Sequence, residues 1–329
     1  MSGRQPTIEW QVAGACNYDC SYCIQSARYR RGAPSRDALA RTIAAFAALP
    51  GNWEIKCSGG EAFAHPLFLD FAVPELMAHS PHAISVLTNF SANRQELTRF
   101  VELTRGRLRV FSASLHLEHV SLQDFADKAA WFRDQLEPTV SFVVNQVVLP
   151  GREDQAGAAK SALLARGIKW FPQLYKIKGG VYDYESPERL VPLLGKRPGP
   201  RDANVAPSYR GRLCYAGVEY FVVDKDGGAW ACRTAKRHGH GFLGNVHDGA
   251  LERLSAPAPC PYDICPCTVP ANRGMIAGVG AGTPDNADAD GRAAADADGR
   301  AATSADAATT DAATCTEADA FIEAAGAAI

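Results

Sequence analysis

The chain has no uninterrupted apolar stretch of the roughly 20 residues a membrane-spanning helix needs, which excludes a helical membrane protein. Met1 to Thr7 carry no basic segment leading into an apolar core, so no secretory signal is marked and a cytoplasmic location is expected. Charge of one sign is not in excess: the formal net charge is −2, which gives no electrostatic case for nucleic acid or an anionic membrane as partner. Large apolar residues almost vanish from Gly278 onward, where Ala, Asp, Gly and Thr dominate. Such a stretch cannot bury enough surface to offset its ordering entropy, so residues 278–329 are expected to form a disordered tail, with a weak helical pattern at Glu317 to Ala325.

What the chain does have is cysteine, ten in 329 residues. Without a secretion signal these read as metal ligands or catalytic thiols rather than disulfides. Eight fall into two groups: Cys16, Cys20 and Cys23, then Cys214, Cys232, Cys260, Cys265 and Cys267; only Cys57 and Cys315 stand apart.

Ahead of the second group, short apolar runs alternate with helical patterns, the signature of repeated βα units. Strands are expected at Ile8 to Ala13, Trp53 to Cys57, Ala83 to Leu87, Leu108 to Ser112, Thr139 to Val148 and Ile168 to Gln173. Helices are expected at Ser35 to Ala48, Leu67 to His79, Arg94 to Leu103, Leu122 to Leu136 and Glu153 to Arg166, with Ser35 and Ser91 as candidate N-caps. This alternation predicts an α/β fold with a parallel sheet, doubly wound or curled into a barrel, and function on the loops at the strand C-termini. Tyr220 to Val223 and Ala229 to Ala231 flank Asp224 to Gly228 as a hairpin.

Cys16, Cys20 and Cys23 lie directly after the first strand with the spacing C-x3-C-x2-C. Thiolates suit zinc and iron–sulfur clusters alike, but a zinc structural site needs a fourth ligand in a matched pair of knuckles, and none is evident. Three ligands on a four-iron cluster leave one iron open. These residues, with Tyr22 just before the third cysteine, resemble the signature of the radical S-adenosylmethionine superfamily. The resemblance implies a partial (β/α)6 TIM-type barrel at 1–205 and a 4Fe-4S cluster on the three cysteines. It also implies reductive cleavage of S-adenosylmethionine to a 5'-deoxyadenosyl radical that abstracts hydrogen from substrate, with reduced flavodoxin or ferredoxin as electron donor.

Ser58-Gly59-Gly60-Glu61 after the second strand resembles that family's GGE motif, which holds the methionine amino group, although Ala62 stands where the family usually has Pro. By the same resemblance Tyr22, Gly59, Gly60, Glu61, Asn89, Ser112 and Ser114 are candidate cofactor-binding residues, and Val147 to Leu149 could pack on adenine. Asn89 and Ser114 read equally well as turn or cap residues.

The second cysteine group resembles SPASM and twitch extensions, which implies an auxiliary 4Fe-4S cluster in a small domain at 206–277 held by four of Cys214, Cys232, Cys260, Cys265 and Cys267. The remaining thiol, among Cys260, Cys265 and Cys267, is a candidate hydrogen-atom donor or merely a bystander; a zinc ribbon is the alternative for the whole group. His116, Glu118, Gln146, Gln173 and Tyr175 are further candidates for the barrel mouth. Arg233 could bind a substrate anion, Cys57 reads as a small apolar residue, and His238, His240 and His247 read as solvated. The expected activity is radical oxidation or epimerisation of a small aminosugar or nucleoside. The alternatives are a maturase acting on a precursor peptide and a non-enzymatic iron–sulfur or zinc redox protein.

Overall fold

The computed structural model describes residues 4–25, 30–177, 180–194, 208–263, 265 and 269–277. Cys267, Cys315, the expected tail and its helical pattern lie outside them.

Six βα-type strands follow one another as expected: β1 (Thr7–Ala13), β2 (Glu54–Gly59), β3 (Ala83–Thr88), β4 (Leu108–Leu115), β5 (Ser141–Val148) and β6 (Lys169–Leu174). They pair in parallel in chain order. The intervening helices are α1 (Arg36–Ala47), α2 (Val73–His79, preceded by a π-turn at Phe68–Ala72), α3 (Arg94–Thr104), α4 (Leu122–Arg133) and α5 (Glu153–Leu164). The sheet is open at β6, so the barrel is partial.

Helix α1 starts where Ser35 accepts a hydrogen bond from the Ala38 amide at 3.2 Å, and it buries Leu39, Thr42, Ile43 and Phe46 at helical spacing. Helix α3 is capped by Asn93, not Ser91: Asn93 and Glu96 form a reciprocal capping box. The Ser91 hydroxyl instead accepts from Asn17 at 2.9 Å, tying the first cysteine loop to the end of β3.

A short β7–β8 hairpin (Lys176–Ile177, Gly180–Val181) and α6 (Val191–Leu194) follow β6. Strand β9 (Leu213–Cys214) pairs with β13 (Ala258–Pro259) outside the main sheet. The hairpin of β10 (Tyr220–Val223) and β11 (Gly228–Trp230) forms as expected and is continued by α7 (Arg233–Arg237) and β12 (Phe242–Asn245). Strand β10 pairs in parallel with β1, so the hairpin that opens the cysteine-rich region extends the barrel sheet itself.

Alternation along the strands sorts the side chains into two environments. Ile8, Trp10, Ile55, Cys57, Val86, Phe111 and Val144 join the apolar layer beneath the helices, where Phe111 and Phe132 lie 4.4 Å apart. Each such fully buried side chain contributes roughly 1.5–3 kcal/mol. The opposite face carries the polar set Glu9, Lys56 and Ser58. At the lower end Arg273, on the segment after α8 (Val269–Asn272), is fully buried and pairs with Glu54, whose carboxylate also accepts from Ser85 at 2.6 Å.

Candidate active site

The C-terminal ends of β1 to β6 open into one cavity of about 310 Å³. Cys16, Cys20 and Cys23 all line it, with Tyr22, Gly59, Gly60, Asn89, Ser112, Ser114, Val147, Gln173 and Tyr175. Sequence reasoning therefore brought together most of the set that meets here.

The cysteine loop is seated on β2 by close backbone approach. The Gly60 amide donates to the Ala13 carbonyl at 2.8 Å and the Glu61 amide to Ala15 at 2.9 Å. A Cβ on Gly60 would stand 2.1 Å from the Ala15 oxygen, and one on Gly59, where φ is +144°, 2.3 Å from the Ala13 oxygen. Only glycine permits this contact. The glycines here thus fit the cysteine loop as well as facing the cavity.

Glu61 does not line the cavity. Its buried carboxylate accepts from Thr88 Oγ1 at 2.7 Å, the Asn89 amide at 2.6 Å and the Phe63 amide at 3.0 Å. Burial pushes its pKa up, against these hydrogen bonds. It fixes the β3 exit, from which Asn89 Nδ2 donates to Asn17 at 2.8 Å and faces Cys16 Sγ at 3.8 Å.

The exit of β4 clasps the loop from the other side. His116 Nδ1 lies 3.4 Å from Cys20 Sγ and 2.8 Å from Tyr22 Oη, and its ring stacks on Tyr22. Burial, then the neighbouring His119, lowers the His116 pKa to about 4, so the ring is neutral near pH 7. Glu118 points away from the cavity and accepts from the Ser21 amide and hydroxyl. Gln146 also departs from expectation: it sits on the outer face of β5, where Trp170 Nε1 donates to it at 3.0 Å, and Asn145 takes the inward position. His238 and His240 are exposed as expected, His238 stacking on Tyr262, whereas His247 is half-buried and shares a 2.9 Å hydrogen bond with Thr42.

Burial raises the Cys16 and Cys20 thiol pKa values, Cys20 to about 11, and the neighbouring cysteines add to the rise. With Cys23 these thiols share one wall and suit a cationic centre that would hold all three as thiolates. The donor chemistry therefore fits a three-cysteine iron–sulfur cluster. Cys20, Glu118 and His119 also bring ligand atoms within 4.8 Å of one another, the only such mixed group among the described residues.

In the second group, Cys214 faces Ala258 across β9–β13, and burial, then Cys260, pushes its thiol up to about 11. Cys260 and Cys265 are buried together with Tyr209 and Ile276, against Cys214 and Tyr262. Burial, then Cys232 and Cys260, raises Tyr262 to about 12, which places Cys232 on the same neighbourhood. Neither Cys260 nor Cys265 lines the main cavity.

Glu9, Lys56 and Asn145 line the cavity and were not singled out from sequence. Glu9 accepts from Arg233 at 2.8 Å and from Tyr220 Oη at 2.6 Å. Burial opposes its ionisation, yet Arg233, Lys56 and the Tyr220 hydrogen bond hold its pKa at about 2. Alternation with Ile8, Trp10, Ile55 and Cys57 is the signal that marks Glu9 and Lys56 as inward.

No family model and no curated protein matches the sequence. Among solved structures the chain is similar to anSMEcpe with bound AdoMet (TM-score 0.53, 15% identity, covering 74% of this chain and 78% of that one). It is also similar to Streptococcus suis SuiB bound to the precursor peptide SuiA (TM-score 0.55, 15% identity, covering 76% of this chain and 64% of that one). The chain shares the fold of these structures. At these identities the likeness is one of fold, and the expected partial barrel is borne out.

Proposed function

We propose that the chain is a radical S-adenosylmethionine enzyme that abstracts hydrogen from a small-molecule substrate of aminosugar or nucleoside type, leading to oxidation or epimerisation. The observation that carries this reading is the C-x3-C-x2-C trio facing one cavity at the strand C-termini of this fold. Cys16, Cys20 and Cys23 would hold the 4Fe-4S cluster. When bound, the cluster and S-adenosylmethionine supply one-electron cleavage to methionine and a 5'-deoxyadenosyl radical.

The chain's own residues supply position and shelter. Gly59 and Gly60 hold the loop against β2, while Asn89, Ser112 and Ser114 turn polar atoms toward the cavity for the methionine and ribose groups of the cofactor. Val147 offers an apolar wall for adenine. Glu61 acts through the Asn89 backbone.

The neighbourhood of Cys214, Cys232, Cys260 and Cys265 would hold an auxiliary 4Fe-4S cluster, fed like the first by reduced flavodoxin or ferredoxin. With Cys267, this makes five thiols for four ligand positions, and the spare one among Cys260, Cys265 and Cys267 is the candidate hydrogen donor. Anaerobic reconstitution with iron and zinc counting tests this: about eight irons per chain is expected. About four irons would remove the auxiliary cluster, and stoichiometric zinc would favour the Cys20, Glu118 and His119 set or a zinc ribbon.

A second reading, a maturase acting on a precursor peptide, is kept because the structures of similar fold include anSMEcpe with a bound Cp18Cys peptide (TM-score 0.51, 17% identity, covering 74% of this chain and 79% of that one) and the SuiB–SuiA complex. Saturable peptide modification would favour it. A non-enzymatic redox protein would release no 5'-deoxyadenosine.

A further inference from the structure

The cavity wall below Ser58 carries more positive than negative charge in a place where charge is costly. Glu9 is satisfied on both oxygens, by Arg233 at 2.8 Å and Tyr220 at 2.6 Å, and Arg233 also donates to Ser58 at 3.0 Å. That ion pair is locally neutral. Lys56, in register beside Glu9 on β2, adds a further positive charge. Its side chain is 5% exposed, faces the cavity, and has no hydrogen-bond acceptor among the described residues.

A buried ammonium with three donors and no acceptor is expensive unless something in the cavity receives them. Phe171, which lines the same cavity, is apolar and supplies none. Lys56 thus faces the cavity that would receive the substrate.

We infer that Lys56, backed by the Arg233–Glu9 pair, is a binding residue for an anionic oxygen group, a carboxylate or a phosphate, on the substrate. The inference rests on the functional reading above and narrows its substrate class: an acidic or phosphorylated small molecule enters anion first, with its reacting carbon toward the cysteine loop. Lysine serves either group as a point charge.

The test uses full-length, cluster-reconstituted, unreduced protein with S-adenosylmethionine present, titrated separately with inorganic phosphate and with succinate by calorimetry. At least one of the two anions is expected to bind the wild type, to bind Lys56→Gln about tenfold or more weakly, and to recover to within about threefold in Lys56→Arg. Preference between the two anions separates a phosphate from a carboxylate substrate. Failure of both to bind wild type, or equal binding to Lys56→Gln, overturns the inference. So does a matching loss of S-adenosylmethionine affinity in Lys56→Gln, which would assign the lysine to the cofactor carboxylate. Release of 5'-deoxyadenosine by reduced wild-type protein tests the functional reading separately, so the two can fail independently.

Discussion

His116 Nδ1 stands 3.4 Å from the sulfur of Cys20 and 2.8 Å from the Tyr22 hydroxyl, both contacts made at the one nitrogen. A metal-bound thiolate is an acceptor only, so cluster loading selects the tautomer with the proton on Nδ1, donating to sulfur. Such a hydrogen bond stabilises the reduced, more negative cluster. In His116→Phe the midpoint potential is expected to fall by on the order of 50 mV, read by redox titration followed by electron paramagnetic resonance. An unchanged potential with full iron content would show that His116 only packs the loop.

The seat of the cysteine loop gives a second prediction. Gly60→Ala must force a Cβ into backbone oxygens 2.1 and 2.3 Å away, from Ala15 and Gly14. A loss of about 2–4 kcal/mol in denaturant unfolding is expected, with reduced iron incorporation. Gly106→Ala, whose Cβ meets nothing within 4 Å and which carries only the penalty of φ +74°, should cost about 1 kcal/mol and leave iron content intact.

Glu9 links stability to pH. Its folded pKa, about 2, lies below the ordinary 4.5, so its contribution is fully present above about pH 4.5 and is lost as pH falls through about 2. Wild type should exceed Glu9→Gln by on the order of 3 kcal/mol at pH 7, with the gap closing in acid. A gap that stays constant from pH 7 to pH 3 would assign Glu9 a packing role instead.

Glu61 tests action at one remove. Glu61→Gln keeps one acceptor oxygen and would set its NH2 against a backbone donor on the other side, either the Asn89 amide or the Phe63 amide. Stability is expected to fall by about 1–3 kcal/mol and S-adenosylmethionine affinity to weaken through displaced Asn89, although Glu61 does not line the cavity. Unchanged affinity in a destabilised protein would separate the motif's glutamate from the cofactor site.

The βα series was legible because each strand is bounded by turn residues and each helix repeats apolar residues at three- and four-residue spacing, as in Leu39, Ile43 and Phe46. The cysteine trio was legible from spacing alone. The Gln146 position was missed by one residue because β5 is apolar on both faces over Phe142 to Val144, which hides the alternation that decides inward from outward. The parallel docking of β10 on β1 joins residues more than 200 positions apart, and no local pattern encodes that register. Lys56 was hidden for another reason: a buried lysine looks like a surface residue until its strand neighbours are placed.

The most direct test of the account is 5'-deoxyadenosine release from S-adenosylmethionine by reconstituted, dithionite-reduced protein, compared with Cys16→Ala, Cys20→Ala and Cys23→Ala. Wild type is expected to release it, and each variant to fall to the background of protein-free controls. Release by any of the three at the wild-type rate would contradict the assignment of those thiols to the cluster.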